Sequence, residues 1–294
     1  MKIKIAIQGI ESSFHHVAAT KLIGDKNIDL VPCDSFEKVT AAVNSNKADY
    51  GVLAIENTIA GAILPNYNLI DSAKMVILDE VYLTIQMHLM ALKSESIHDI
   101  KEVHSHPVAL LQCKKYLSKF PPQFKVIEGK DTAYEARKIK TEQLRGVAAI
   151  AGRQVASKYG LKILDSNIQH VKNNETRFVL LGKKPSKQVS IANKATLKFV
   201  LKHEVGSLSN ILQVFSTFNI NLTKIQSLPI LDSPWQYAFF IDIVFQDYQL
   251  LISVIEVLEK VVKQLTVIGV YRENKKNYNS ELITSVCNKH LTSN

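Results

Sequence analysis

Four short polar clusters interrupt the apolar runs of the chain, and each mixes hydrogen-bond donors with a point where a helix or strand could begin. "AIENTIAG" carries Glu56, Asn57 and Thr58 with Gly61; "HSHPVALLQC" carries Ser105 and His106 ahead of Pro107; "GKDTAYEA" carries Asp131 and Thr132; "NNETRF" carries Thr176, Arg177 and Phe178. Any one of them is explained by helix capping, because Ser, Thr, Asp and Asn accept from the free N–H groups of a first turn. Four together suggest more. Helix N-termini offer unpaired N–H groups and partial positive charge, and a planar guanidinium matches a carboxylate with paired hydrogen bonds. Arg177 can therefore be a surface arginine at a strand entrance, the common fate of arginine, or a ligand for an anion.

Other chemistries lack their residues. His15-His16 and His104-Ser105-His106 are not followed by a carboxylate or cysteine at a ligand spacing, so no metal is expected. "IQGIESS" has neither the GxGxxG nor the P-loop pattern, and no Ser or Cys lies in a nucleophile elbow. Charge-stabilised elimination, or simple binding, is left. The net charge of +9 comes from scattered lysines without interleaved aromatics, which suits small anions and argues against nucleic acid. Three unrelated cysteines, Cys33, Cys113 and Cys287, suit a reducing cytoplasm. The first residues resemble a strand more than a leader, and no apolar run approaches the length of a membrane span, so a soluble cytoplasmic protein without a membrane partner is expected.

The elements that must position these clusters follow from apolar periodicity. The chain has 294 residues, 46% hydrophobic and 21% charged, enough for more than one domain. "IKIAIQG", "IDLVPC" and "YGVLAIENT" predict strands separated by helices that start at Ser12 or Ser13 and at Ser35, a βαβαβ order implying a mostly parallel sheet. Pro65 interrupts the next helical stretch. "MVILDEVYLTIQMHLMAL" gives two strands with no helix between them, where the chain can cross into a second lobe at about 84–170. Alternation resumes there, with helices from Pro107 to Tyr116, Thr132 to about Thr141 and Arg153 to Tyr159. "RFVLLG" is a buried strand that follows the second lobe. The fold class is therefore α/β: two lobes, crossing strands and a cleft between them. A polar linker at 185–194 leads to a ferredoxin-like βαββαβ module, α+β, at 195–275, and a polar tail at 276–294.

These segments resemble a family. "QGIESSFHHVAA", "LAIENTIAGAI", "SHPVALLQCKKYL", "KDTAYEA" and the long run ending in "NNETRF" are similar, in order, to prephenate dehydratase, a two-lobed catalytic domain (here 1–184) of the type 2 periplasmic-binding-protein kind followed by an ACT regulatory domain. The resemblance implies a lyase of phenylalanine biosynthesis that decarboxylates and dehydrates prephenate to phenylpyruvate without a cofactor. It implies that Thr176, Arg177 and Phe178 are catalytic, with Arg177 on a substrate carboxylate and Thr176 at the leaving hydroxyl. Asn57, Thr58, Gly61, Ser105, His106 and Thr132 would bind substrate. Four positions depart from the family pattern. Ser12-Ser13 replaces a glycine and threonine, Val108 a glutamine, and Asp131 a serine or threonine.

In the ACT domain, the resemblance implies a phenylalanine site at Gly206, Ser207, Leu208, Asn221, Gln226 and Ser227, and feedback inhibition through it. Gln226-Ser227-Leu228-Pro229 stands where the family commonly has Glu-Ser-Arg-Pro, which removes two charged partners. Such modules tend to pair, so a homodimer or homotetramer is expected. Two alternatives differ in class or substrate: an arogenate dehydratase, and a non-catalytic anion-binding protein of the periplasmic type.

Overall fold

The computed structural model describes residues 2–24, 28–184, 192–202, 204–230 and 236–274. The expected tail and most of the expected linker lie outside these residues. The first strands and helices are β1 (Ile3–Gln8), α1 (Phe14–Ile23), β2 (Ile28–Cys33), α2 (Phe36–Asn44) and β3 (Tyr50–Asn57). Ser13 caps α1 by accepting from His16 N, and Ser35 caps α2 by accepting from Lys38 N. A left-handed turn at Gly61 leads through the two-residue β4 (Gly61–Ala62) into α3 (Leu64–Ser72). Pro65 does not interrupt that helix. It sits in the first turn, where its missing N–H leaves no intrahelical bond unmade.

Two consecutive strands, β5 (Val76–Thr84) and β6 (His88–Ala91), carry the chain out of the first sheet. The second sheet uses β6, β7 (Glu102–Ser105), β8 (Lys125–Glu128), β9 (Val147–Ala151) and β10 (Lys162–Asp165), in the order β10-β6-β9-β7-β8. Its helices are α4 (Pro107–Gln112), α5 (Lys114–Leu117), α6 (Thr132–Thr141) and α7 (Arg153–Tyr159). The single helix expected from Pro107 is broken at Cys113, which is fully buried. The chain then returns as β11 (Glu175–Gly182), which inserts antiparallel between β3 and β5.

That return makes the first sheet mixed rather than mostly parallel: β1 pairs parallel with β2 and β3, while β11 runs against both of its neighbours. A strand entering from another lobe is free of the right-handed crossover that makes βαβ neighbours parallel. The C-terminal module is β12 (Lys194–Val200), α8 (Ser207–Thr217), β13 (Asn221–Pro229), β14 (Tyr237–Val244), α9 (Tyr248–Val261) and β15 (Gln264–Tyr271), a βαββαβ order with strands arranged β13-β14-β12-β15. β12 begins at Lys194, the last residue of the expected linker.

The module extends the first sheet. β15 pairs parallel with β5 through Gly269 opposite Ile77, and a Cβ at Gly269 would lie 2.3 Å from the Ile77 carbonyl oxygen. Only glycine permits that approach. The extended sheet curls, because a face of the module packs on the back of the first sheet: Phe240, Ile268 and Leu228 share one apolar core with Leu53, Ile55, Tyr67 and Val179. A separate core fills the module itself around Phe199, Phe215 and Leu251.

Candidate active site

β11 is buried along nearly its whole length, so both of its faces are occupied. Alternation puts Thr176 and Phe178 on one face and Arg177 on the other. The first face looks into a cleft between the two sheets, a cavity of about 350 Å³. Its walls come from both lobes: Ser13, His15, Asn57, Thr176 and Phe178 on the first, and His106, Gln112, Asp131 and Thr132 on the second.

The β3–β11 register explains why an amide and not a carboxylate faces Thr176. Thr176 pairs with Asn57 and Arg177 with Glu56, but Phe178 pairs with Ala54, so Ile55 is an extra residue on β3. Such a bulge reverses the alternation beyond it. Ala54 and Asn57 therefore both line the cleft, while Ile55 joins the core behind the sheet and Glu56 lines a cavity on that side.

Asn57 anchors the site. Its Nδ2 donates to Thr176 Oγ1 at 2.8 Å and to Asn174 Oδ1 at 2.6 Å, and its Oδ1 accepts from the N–H groups of Ile59 and Ala60, each at 3.0 Å. Asn174 Nδ2 in turn donates to Gln112 Oε1, a residue of α4 in the second lobe, at 3.2 Å. Since Thr176 Oγ1 accepts from Asn57, its own O–H is left to donate into the cleft.

His15 packs edge-on against Phe178, with ring centroids 5.0 Å apart, and its Nε2 has no hydrogen-bond partner. Burial without a partner lowers its pKa to about 4, so the imidazole is neutral at physiological pH. On the opposite wall, Asp131 caps α6 by accepting from Tyr134 N at 2.9 Å. Burial pushes its carboxyl above the usual range, against the pull of the Tyr134 and Ala133 N–H groups. The two lobes touch at the rim: Gln154 Nε2 donates to the Ser12 carbonyl at 3.1 Å, and Lys158 pairs with Glu11 at 2.6 Å.

Behind β11, Arg177 is 2% exposed and does not enter the cleft. Its Nε donates to Glu80 at 2.6 Å, one terminal nitrogen to Asp242, and the other to the Tyr271 hydroxyl at 2.7 Å. Thr196 Oγ1 holds the second oxygen of Asp242 at 2.6 Å, and Lys194 Nζ meets Glu80 at 2.9 Å. Burial lowers the pKa of Arg177, but Tyr271, Asp242 and Glu80 outweigh it and hold the value well above the ordinary one. Burial likewise opposes ionisation of Asp242, yet Arg177 and Lys194 outweigh it and hold the carboxyl below its usual range.

The expected site residues thus divide. Thr176, Phe178, Asn57, His106 and Thr132 meet in the cleft. Arg177 was expected to hold a substrate carboxylate there, and three protein partners on the other face occupy it instead. Thr58 also faces the back cavity, where its hydroxyl accepts from Glu175 N at 3.0 Å. Ser105 is fully buried in the second sheet and donates to the Ile150 carbonyl at 2.6 Å. Gly61 does not line the cleft; it serves the turn at φ +76°. Sequence reasoning missed His15, Gln112 and Ser13 as cleft residues, although "SSFHH" and "LLQC" place polar side chains on otherwise apolar helix faces.

In the C-terminal module, Ser207 and Leu208 line a cavity of about 270 Å³ with Gln236, Tyr237 and Phe239. Gly206 caps α8 in the left-handed region. Gln226 and Ser227 pair with Phe240 and Phe239, whereas Asn221 pairs with Val244 at the far end of β14. A single chain therefore does not bring Asn221 to the cavity at Ser207. Among the described residues there is no cluster of three metal-binding side chains, and no helix is long and apolar enough to cross a membrane.

Comparison with known proteins adds a name to this geometry. The family described as prephenate dehydratase matches residues 5–186. A bifunctional chorismate mutase/prephenate dehydratase of Aquifex aeolicus is 37% identical over 82% of the chain and 66% of its own length. An arogenate dehydratase/prephenate dehydratase of Arabidopsis thaliana is 34% identical over 82% of the chain and 65% of its own. The chain thus spans about two thirds of the length of these curated relatives. The crystal structure of a prephenate dehydratase from Arthrobacter aurescens in complex with L-Phe superposes with a TM-score of 0.81 at 21% identity, over 99% of both chains, which shows a shared fold.

Proposed function

The chain belongs to the prephenate dehydratase family, and from that premise we propose that the cleft converts prephenate to phenylpyruvate, with Thr176 as the donor to the departing hydroxyl. In the reaction the bond from the ring carbon to the carboxylate breaks, and its electron pair enters the ring. The C–O bond across the ring then breaks, and the hydroxyl leaves as water once protonated. Aromatisation drives both cleavages, so the protein need only bind a dianion, orient it and stabilise the charge gathering on the leaving oxygen.

The observation that carries this reading is the fixed polarity of Thr176: its oxygen is occupied by the Asn57 amide, so its O–H is the free end. A threonine is too weak an acid to give up its proton outright, and it acts as a preorganised donor while water supplies the proton. With Arg177 turned away, the carboxylates depend on the Ser13, His106 and Thr132 side chains that line the cleft and on the N–H groups at the starts of α1 and α6. Phe14, Phe36, Phe178 and Ile63 line the rest of the cleft. Apolar walls disfavour a localised carboxylate relative to the dispersed charge of the transition state, which assists loss of carbon dioxide.

Incubation with prephenate, followed by phenylpyruvate absorbance, tests the assignment, with arogenate in a parallel reaction to fix the substrate. Thr176→Ala should lower kcat about 10²–10³-fold, the cost of removing one preorganised donor. A wild-type protein inert on both compounds overturns the reading, and so does a Thr176→Ala variant of unchanged kcat.

Phenylalanine is proposed as the effector of the C-terminal module, the ACT domain of this family. The cavity at Ser207 and Leu208 would be completed by Asn221, Gln226 and Ser227 from a second copy, since one chain leaves Asn221 remote. Titration calorimetry with phenylalanine and sedimentation of the protein test both halves; no heat and no inhibition would remove the regulatory role.

A further inference from the structure

Arg177 adjoins the proposed catalytic threonine in sequence, yet its side chain points to the opposite face of the sheet, and two of its three hydrogen-bond partners belong to the C-terminal module. Asp242 comes from β14 and Tyr271 from β15, while Thr196 on β12 bonds both, to Asp242 at 2.6 Å and to the Tyr271 hydroxyl at 2.6 Å. Three strands of the module thus fix one guanidinium. A planar group bound at each of its nitrogens has little freedom to shift or rotate.

β11 transmits that constraint. Thr176 and Arg177 share a peptide plane, so displacement of the Arg177 side chain moves the backbone that carries Thr176. The bulge between Arg177 and Phe178 interrupts the β3–β11 ladder immediately after this pair, while Thr176 stays paired with Asn57 on β3 and Leu83 on β5. On the cleft side the Thr176 hydroxyl depends on one contact, the Asn57 amide at 2.8 Å.

We propose that Arg177 is a positioning residue, and that the C-terminal module, by gripping it through Asp242, holds the Thr176 hydroxyl against Asn57 in the geometry the reaction needs. The proposal rests on the function assigned above. It gives the module a share in basal turnover that is separate from any effector.

The test is steady-state turnover of prephenate by full-length variants. Asp242→Asn keeps the shape of the anchor and removes its charge. It should lower kcat about tenfold or more, since small misplacements of a reacting group cost up to about 10²-fold, with KM within about twofold of wild type. Thr196→Val should lower kcat less, about threefold, and carries the test alone should Asp242→Asn fail to fold. In a Thr176→Ala background, Asp242→Asn should change kcat by less than about twofold, because the hydroxyl it positions is gone. Lys198→Met breaks another of the ion pairs between the module and the first lobe, Lys198 with Asp71 at 2.5 Å, away from β11, and should leave kcat unchanged.

Folded Asp242→Asn or Thr196→Val with wild-type kcat overturns the proposal. An equal loss from Asp242→Asn with and without Thr176, a rise in KM alone, or an equal loss in Lys198→Met does the same. Wild-type protein inactive on both prephenate and arogenate would instead refute the functional reading.

Discussion

The two faces of β11 bury polar groups in opposite ways. Behind the strand, Arg177, Lys194, Glu80 and Asp242 are each at most 2% exposed, yet they are paired, two cations against two anions. In the cleft, Asn57, Thr176 and His15 are neutral, His15 Nε2 has no protein partner, and the Thr176 hydroxyl oxygen accepts from Asn57 while its O–H stays free to donate. The back face satisfies its groups with one another and gains a fixed shape. The cleft leaves donors unspent, which costs stability and is what a ligand can use.

The comparison breaks most visibly at Arg177. Arg177→Met should cost about 3–5 kcal/mol of stability, because Glu80 and Asp242 would remain buried without their shared partner. Urea denaturation reads this directly, and a loss below 1 kcal/mol would mean that the back face is less closed than described. Asn57→Ala comes next. It strands Thr176, Asn174 and the Ile59 and Ala60 N–H groups, and should cost about 2–3 kcal/mol while lowering kcat at least tenfold.

The smallest effect separates the faces by pH. His15 has a pKa of about 4 in the fold, below the value of about 6.5 it regains when unfolded. The unfolded chain therefore binds the extra proton first, and stability falls as pH drops from 6.5 towards 4. Between pH 7 and pH 5 this one group should account for about 2 kcal/mol. That increment should vanish in His15→Gln. Asp242, held below the usual carboxylate range, loses its contribution only under more acid conditions, so its variants should leave the pH 5–7 slope unchanged.

Much of this was legible in the residues. Ser13, Ser35 and Asp131 start helices, Gly160 ends one, and "INLTKIQSLP" with "YAFFIDIVF" pair as adjacent strands. Thr176 and Phe178, expected in the cleft, do line it. Arg177 was misplaced because a run buried on both faces hides its alternation, although period two alone separates it from Thr176 and Phe178. Its partners could not be read from spacing, since Asp242 lies 65 residues away and Glu80 97. A weaker sign was present: the single carboxylate in "AFFIDIVF" and the adjacent pair in "VILDEVYL" must find partners where they are buried. Ser105 and Thr58 misled because their hydroxyls are claimed by backbone groups far away in the sequence, the Ile150 carbonyl and the Glu175 N–H, which no local spacing reveals.

The insertion of β11 also governs the order in which the protein can be assembled on the ribosome. β3 and β5 are synthesised early, but the strand that joins them is made only after the intervening residues 85–174. At ~5–20 residues per second, that interval is roughly 5–20 s. Throughout it the nascent first lobe presents two unpaired apolar strand edges, the kind of surface that chaperones cover and that aggregates otherwise. Closing the gap brings Thr176 into place in the same event, so a chain stalled before β11 lacks its central strand and its proposed catalytic hydroxyl together.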